Sequence, residues 1–324
     1  YIFLILFCKI IILKKKIMEN KYIIFFLLIF YFFFQLSTLD YGTKVNDLDY
    51  IKNHYLDEKI INNFIEKKEI KRKSNINFNS SWIYRYKLYS INADEMIPIM
   101  SLSKIDLKNK NFDPQVYKYG GAFIYPLGFY FFTLNKLNIL EDISASSILK
   151  NEKLMDKIYF YGRLFVLISF ILSCYFLYKS LIIFSNKSNS LILSSIYLFV
   201  PGSIIYSQVI KPHWYGLLWV NLSILFALKY LFKESKNSYL FLLTIFLGLA
   251  IGSNLLFVPF YIFIVFLLFF LDQKNNLNFK SFFYVIIGSI FIFILTNPYI
   301  FLNFSNFFFE ANDEYSWVLK GFNA

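Results

Sequence analysis

Six apolar stretches, at roughly 22–38, 158–178, 190–207, 214–232, 238–271 and 281–296, limit what this chain can fold into. A helix of about 17–25 apolar residues crosses the hydrocarbon core of a bilayer. The fifth stretch is too long for one crossing. Gly248, Gly252, Ser253 and Asn254 near its middle predict two helices joined by a tight turn, which brings the count to seven spans. With 57% apolar and 22% aromatic residues, a water-soluble domain would leave large greasy patches exposed. The predicted fold is therefore all-α, a polytopic transmembrane helical bundle.

Charge gives the bundle an orientation. The connectors 179–189, 233–237 and 272–280 carry Lys179 and Lys187, Lys233 and Lys236, and Lys274 and Lys280, and alternation puts them on one side with Lys14 to Lys16 and Lys21. The opposite short loops hold only Lys211. The basic side is expected to be cytoplasmic, in a cell (inner) membrane. Residues 1–21 then form an N-terminal cytoplasmic segment, in which 1–17 reads either as read-through upstream of a start at Met18 or as part of a fragment. The bundle domain covers 22–316, and 317–324 reads as a truncated continuation. The first extracytoplasmic loop runs from about 39 to 157, far beyond a mere connector. Within it, 122–139 is apolar enough to suggest a span, but a crossing there would turn the Lys-rich loops outward. It is therefore read as an interfacial or partly embedded helix broken by Pro126 and Gly128.

The formal charge of +12 comes from 33 basic residues of which only Arg72, Arg85 and Arg163 are arginine. No Lys/Arg stripe with interleaved aromatics points to nucleic acid, so membrane lipids are the expected charged partner. Cys8 and Cys174 lie in apolar stretches and read as inert.

Asp94 and Glu95 are the candidate catalytic pair. They open an amphipathic run (Met96, Ile97, Ile99, Met100, Leu102, Ile105), so Asp94 is expected at a helix N-terminus on the membrane surface. There the helix dipole favours an ionised carboxylate able to accept a proton from a hydroxyl. A plain helix cap with a solvated neighbour explains the same pattern. Arg85, in a chain that uses Lys almost everywhere, suits forked phosphate recognition, or is a surface residue among aromatics. Tyr119, in Tyr117-Lys118-Tyr119-Gly120-Gly121, either anchors a helix or lines a groove for a sugar and a lipid phosphate. Arg163 snorkels or binds phosphate. Lys211 and His213 could stabilise a phosphate leaving group, although a lone histidine at a helix start is more often structural. The only histidines are His54 and His213, no metal-ligand spacing is visible, and no glycine-rich phosphate loop occurs.

These residues resemble the GT-C superfamily of membrane glycosyltransferases, in the branch of protein O-mannosyltransferases and bacterial aminoarabinose-type lipid transferases. The features that carry the likeness are Asp94-Glu95, Tyr119-Gly120 with Tyr125-Pro126, Gly162-Arg163-Leu164, Gly248-Leu249-Ala250 with Asn254, Asn297-Pro298-Tyr299, and Asn303-Phe304. They span roughly 22–316. The resemblance implies an inverting transfer of a sugar from a polyprenyl-phosphate carrier to a hydroxyl of a glycan, lipid or protein acceptor. Asp94 would act as base and basic side chains would receive the phosphate. The likeness departs in the second outward loop, where many relatives carry an acid. Here no Asp or Glu occurs between Asp156 and Glu234, so no cofactor is assigned and a divalent metal stays open.

A lipid-linked sugar flippase or transporter is a second reading, but the spans are largely uncharged and no repeat is visible. An O-antigen ligase or polymerase is a third, with its large loop expected later in the chain. A purely structural membrane protein would leave the long loop unexplained.

Overall fold

The computed structural model describes residues 20–43, 88–107, 109–141, 151–233, 236–272 and 279–322. The segment 1–19, the polar stretch 44–80 and Arg85 lie outside the described residues. Among those described, the chain is all-α, with twelve α-helices. In chain order these are α1 (Asn20–Leu36), α2 (Met96–Lys104), α3 (Gly121–Lys136), α4 (Glu152–Phe184), α5 (Lys187–Phe199), α6 (Pro201–Tyr206), α7 (Pro212–Phe232), α8 (Asn237–Ser253), α9 (Val258–Asp272), α10 (Phe279–Thr296), α11 (Pro298–Leu302) and α12 (Phe304–Phe322). Single 3-10 turns, Ala93–Glu95 and Leu255–Phe257, lead into α2 and α9.

Two helices, α4 and α7, are long and apolar enough to cross a membrane. The 33 residues of α4 make a rod about 50 Å long, well beyond a hydrocarbon core of about 30 Å. α1, α8, α9 and α10 contain shorter apolar segments of 10–17 residues.

Side-chain pairs fix the relative directions. α1 runs antiparallel to α4, with Phe25 against Tyr175 and Tyr31 against Phe170. α7 runs parallel to α4, through Phe165–Tyr215, Ser173–Asn221 and Phe184–Phe232. α8 returns antiparallel to α7, Trp219 stacking on Phe246 and Phe226 meeting Tyr239. α9 and α10 are antiparallel to each other, with Phe269 on Phe282 and Ser289 donating to the Tyr261 hydroxyl. These directions gather Lys187, Lys233, Lys236 and Lys280 at one end of the bundle. The other end carries the start of α7, the end of α8 and the segment around Asp94.

Two local expectations change and a third holds. The stretch 190–207 is not one helix. Pro201 fixes the first residue of α6 and drives Val200 into an extended conformation, so α5 stops at Phe199. The stretch 238–271 divides as expected, at Asn254. That residue is extended, and its side-chain oxygen caps the turn to α9 by accepting from the Leu256 amide at 2.8 Å. Finally, α3 is unbroken. Pro126 lies within it, and Phe123, Ile124, Leu127, Phe131 and Leu134 are buried along one side. Gly128 does not break it either: a Cβ there would come within 2.7 Å of the Leu102 side chain, so the glycine lets α2 approach.

Candidate functional site

The site begins with the turn Ala93–Glu95, where Asn92, not Asp94, is the cap. The Asn92 side chain accepts from the Asp94 amide at 3.3 Å, and the chain continues into α2. Met96 is buried, and Ile97, Ile99, Met100, Leu102 and Ile105 pack against the same apolar cluster as Phe123 and Leu127 of α3. The amphipathic run thus seats its apolar face on protein. Because adjacent residues of a tight turn point apart, Asp94 and Glu95 have opposite surroundings.

Glu95 points inward and is 0% exposed. Its carboxylate accepts from Arg163 at both oxygens, Nε to Oε1 at 2.9 Å and an Nη to Oε2 at 2.6 Å. Ser90 Oγ donates to Oε2 at 2.5 Å, and the Ile210 amide donates to Oε1 at 2.9 Å. Arg163, itself 4% exposed, spends its remaining nitrogen on the carbonyls of Leu39 at 2.8 Å and Tyr41 at 2.7 Å. Tyr159 closes the arrangement, its hydroxyl donating to the Leu88 carbonyl at 2.5 Å and accepting from the Ser90 amide at 3.1 Å. This clasp joins the exit of α1, the segment before α2, α4 and the entrance to α7. Both oxygens of Glu95 and the forked guanidinium are engaged. A charged pair survives burial only when its polar atoms are satisfied in this way. Arg163 was expected to snorkel or take a phosphate, and Glu95 to join the catalytic pair; the structure instead turns them on each other.

Asp94 points outward. Its side chain is 49% exposed, and Lys211 Nζ donates to Oδ2 at 2.7 Å. That hydrogen bond, helped by the positive charges of Lys211 and Lys118, holds the Asp94 carboxyl below the usual carboxylate range. The ionised state foreseen from a helix dipole thus comes from a neighbouring ammonium. Lys211 is the extended residue immediately before α7, and Pro212 and His213 begin that helix. Asp94, Lys211 and His213 therefore come together as three of the expected residues, with Lys118 beside them.

Tyr119 belongs to another part of the same end. It is buried and, with Pro114, Tyr117, Tyr125, Asn297 and Tyr299, lines a small aromatic cleft. The floor of this cleft is a knot of backbone. The Gly121 amide donates to Asn297 Oδ1 at 2.7 Å, Asn297 Nδ2 donates to the Gly252 carbonyl at 3.1 Å, and the Gly120 amide donates to the Ser253 carbonyl at 2.9 Å. A Cβ on Gly120 would collide with the Gly252 carbonyl, and one on Gly121 with the Thr296 carbonyl, so only glycine allows the approach. Asn297 was noted in the sequence as part of a motif, without a role. Its position between a helix end and a proline was the available signal.

Glu310 was missed. It is the first charged residue after Lys280, and its carboxylate accepts from the backbone amides of Tyr117 at 2.8 Å and Lys118 at 3.3 Å. Among the described residues no group of three or more His, Cys, Asp or Glu could hold a metal ion. A single half-exposed carboxylate flanked by an ammonium group does not fit a divalent cation. No protein-family model matches the chain, and searches of curated proteins and of solved structures returned no match.

Proposed function

We propose that this chain is a polytopic membrane glycosyltransferase of the GT-C type, moving a sugar from a polyprenyl-phosphate carrier to a hydroxyl acceptor at the extracytoplasmic face of the cell membrane. The observation that carries the reading is the ionised, half-exposed Asp94 paired with Lys211, with Lys118 and His213 nearby, at the bundle end opposite the lysine-rich connectors. The membrane part rests on the surface of the bundle. Phe26, Ile29 and Phe33 on α1, Phe263, Phe266 and Phe270 on α9, and Ile287, Phe291 and Leu295 on α10 are all exposed. Lipid tails are the solvent that tolerates such a girdle.

In this reading the acceptor oxygen attacks the anomeric carbon from the face opposite the phosphate. Its proton passes to Asp94 as the new bond forms. The bond from the anomeric carbon to the phosphate oxygen breaks, and the electron pair leaves with the lipid phosphate. Lys211, with Lys118 and His213, meets the charge gathering there. Donor phosphate and Asp94 compete for the same ammonium, so an incoming donor draws Lys211 away and leaves the carboxylate free to act as a base. Glu95 and Arg163 are positioning residues, holding the turn that presents Asp94.

The test is incubation of membranes containing the chain with radiolabelled polyprenyl-phosphate sugars, followed by identification of the labelled product. Labelled glycan, lipid or protein with the wild type, and none with Asp94→Asn inserted at the same level, is the expected result. Movement of the labelled lipid across the membrane without transfer would replace the reading with a flippase.

A further inference from the structure

We propose that α11 and the first half of α12 form an in-plane membrane helix, its phenylalanine face immersed in the headgroup–acyl boundary of the leaflet next to the site. The inference rests on the membrane embedding proposed above but not on the transferase chemistry.

Four observations carry it. First, from Ser281 to Phe309 the sequence holds no charged residue, so the apolar character of α10 continues past its end at Thr296. Second, the chain changes direction at Asn297 and again at Asn303, both of which leave helical geometry. Third, Leu302, Phe304, Phe308 and Phe309 are exposed, Phe309 at 76%, and Phe304 stacks on Phe308 at 6.1 Å. This surface follows directly in the chain on the exposed Phe291, Ile294 and Leu295 of α10. Fourth, the other side of α12 and the residue just before it are fastened to protein. Glu310 accepts from the Tyr117 and Lys118 amides, Asn303 donates to Asp113, and Phe307 meets Tyr117 edge-on. A helix held by polar bonds on one flank, with bare phenylalanines on another that continue from a lipid-facing span, fits a lipid surface. Lipid contact would then bear on Lys118, one of the cations around Asp94, because Glu310 grips its backbone.

The experiment uses the full chain in phosphatidylethanolamine/phosphatidylglycerol vesicles carrying a phospholipid with a photoactivatable acyl chain. After illumination, adducts on 301–309 as well as on 281–296 are expected. Adducts on 281–296 alone would overturn the proposal and leave the membrane reading intact; adducts on neither would overturn both. A second measurement places a nitroxide at Phe304, Phe308, Asn306 or Asp313, each introduced as a single cysteine in a chain whose own cysteines are serine. Positions 304 and 308 should collide severalfold more with oxygen than with a water-soluble nickel chelate, and 306 and 313, which lie off the phenylalanine face, the reverse. Equal exposure to the chelate at all four positions, or shielding of 304 and 308 from both reagents by a second protein surface, would overturn it.

Discussion

Glu95 and Asp94 are neighbours in the chain and carry the same functional group, yet one is sealed inside the protein and the other stands half in solvent. Glu95 accepts four hydrogen bonds, two of them from a cationic fork. Asp94 has its own cap and one ammonium. The difference teaches that a pair of acids can divide its work: one carboxylate fixes the backbone so that the other need not be fixed. A base tied down by four hydrogen bonds would accept no proton. A base on an untethered turn would not be held at the right distance.

The comparison is tested most severely by breaking the clasp. Arg163→Ala leaves a buried carboxylate without its cation and is expected to cost about 3–5 kcal/mol, read as a large fall in thermal midpoint and in folded yield in detergent. Glu95→Gln should follow it. If either variant unfolds like wild type, the clasp does not hold the turn. Asp94→Asn is expected to do the opposite, lowering transfer by about 10²–10⁴-fold while the thermal midpoint stays close to wild type, since an ion pair whose carboxylate is half-exposed contributes about 0–1 kcal/mol. Normal transfer by that variant would remove Asp94 as the base.

Asn297→Ala sharpens the contrast from farther away. It leaves the buried Gly121 amide without its acceptor, an expected loss of about 1–3 kcal/mol in denaturant or thermal unfolding, with both acids untouched. The smallest effect concerns pH. The Asp94 carboxyl is lowered in the folded chain, so its pairing stabilises above the ordinary carboxylate pKa of about 4 and is lost as pH falls through the lower folded value. The acid limb of the rate profile should therefore lie below that range. Lys211→Gln should move it upward toward about 4; a limb unchanged by that substitution would mean that another group controls it.

Much of the helical scaffold was legible because apolar length needs no tertiary information. The division of 238–271 could be read from Gly252, Ser253 and Asn254, which together favour an exit from helix. Pro201 stands inside the apolar stretch 190–207, whose hydrophobicity alone suggests one helix, and the backbone obeys the proline. Pro126 gave the reverse outcome, because the buried flank of α3 kept the helix continuous. Around the site, residue identity was legible and partnership was not. Nothing local to Arg163 says that Glu95, Leu39 and Tyr41 will converge on it from segments far away in the chain. The association of Asp94 with Lys211 and His213 depends equally on how α7 meets the earlier segment.

The knot at Asn297 also bears on how such a chain can be made. The Gly121 amide waits for an acceptor 176 residues downstream, whereas the clasp needs nothing beyond Ile210. During synthesis the clasp can close while the later helices are still in the ribosome, but the tyrosine-lined cleft cannot settle until α10 has emerged. Maturation should thus occur in two stages, and a nascent chain arrested near residue 290 should resist protease around Asp94 while remaining cleavable near Tyr119.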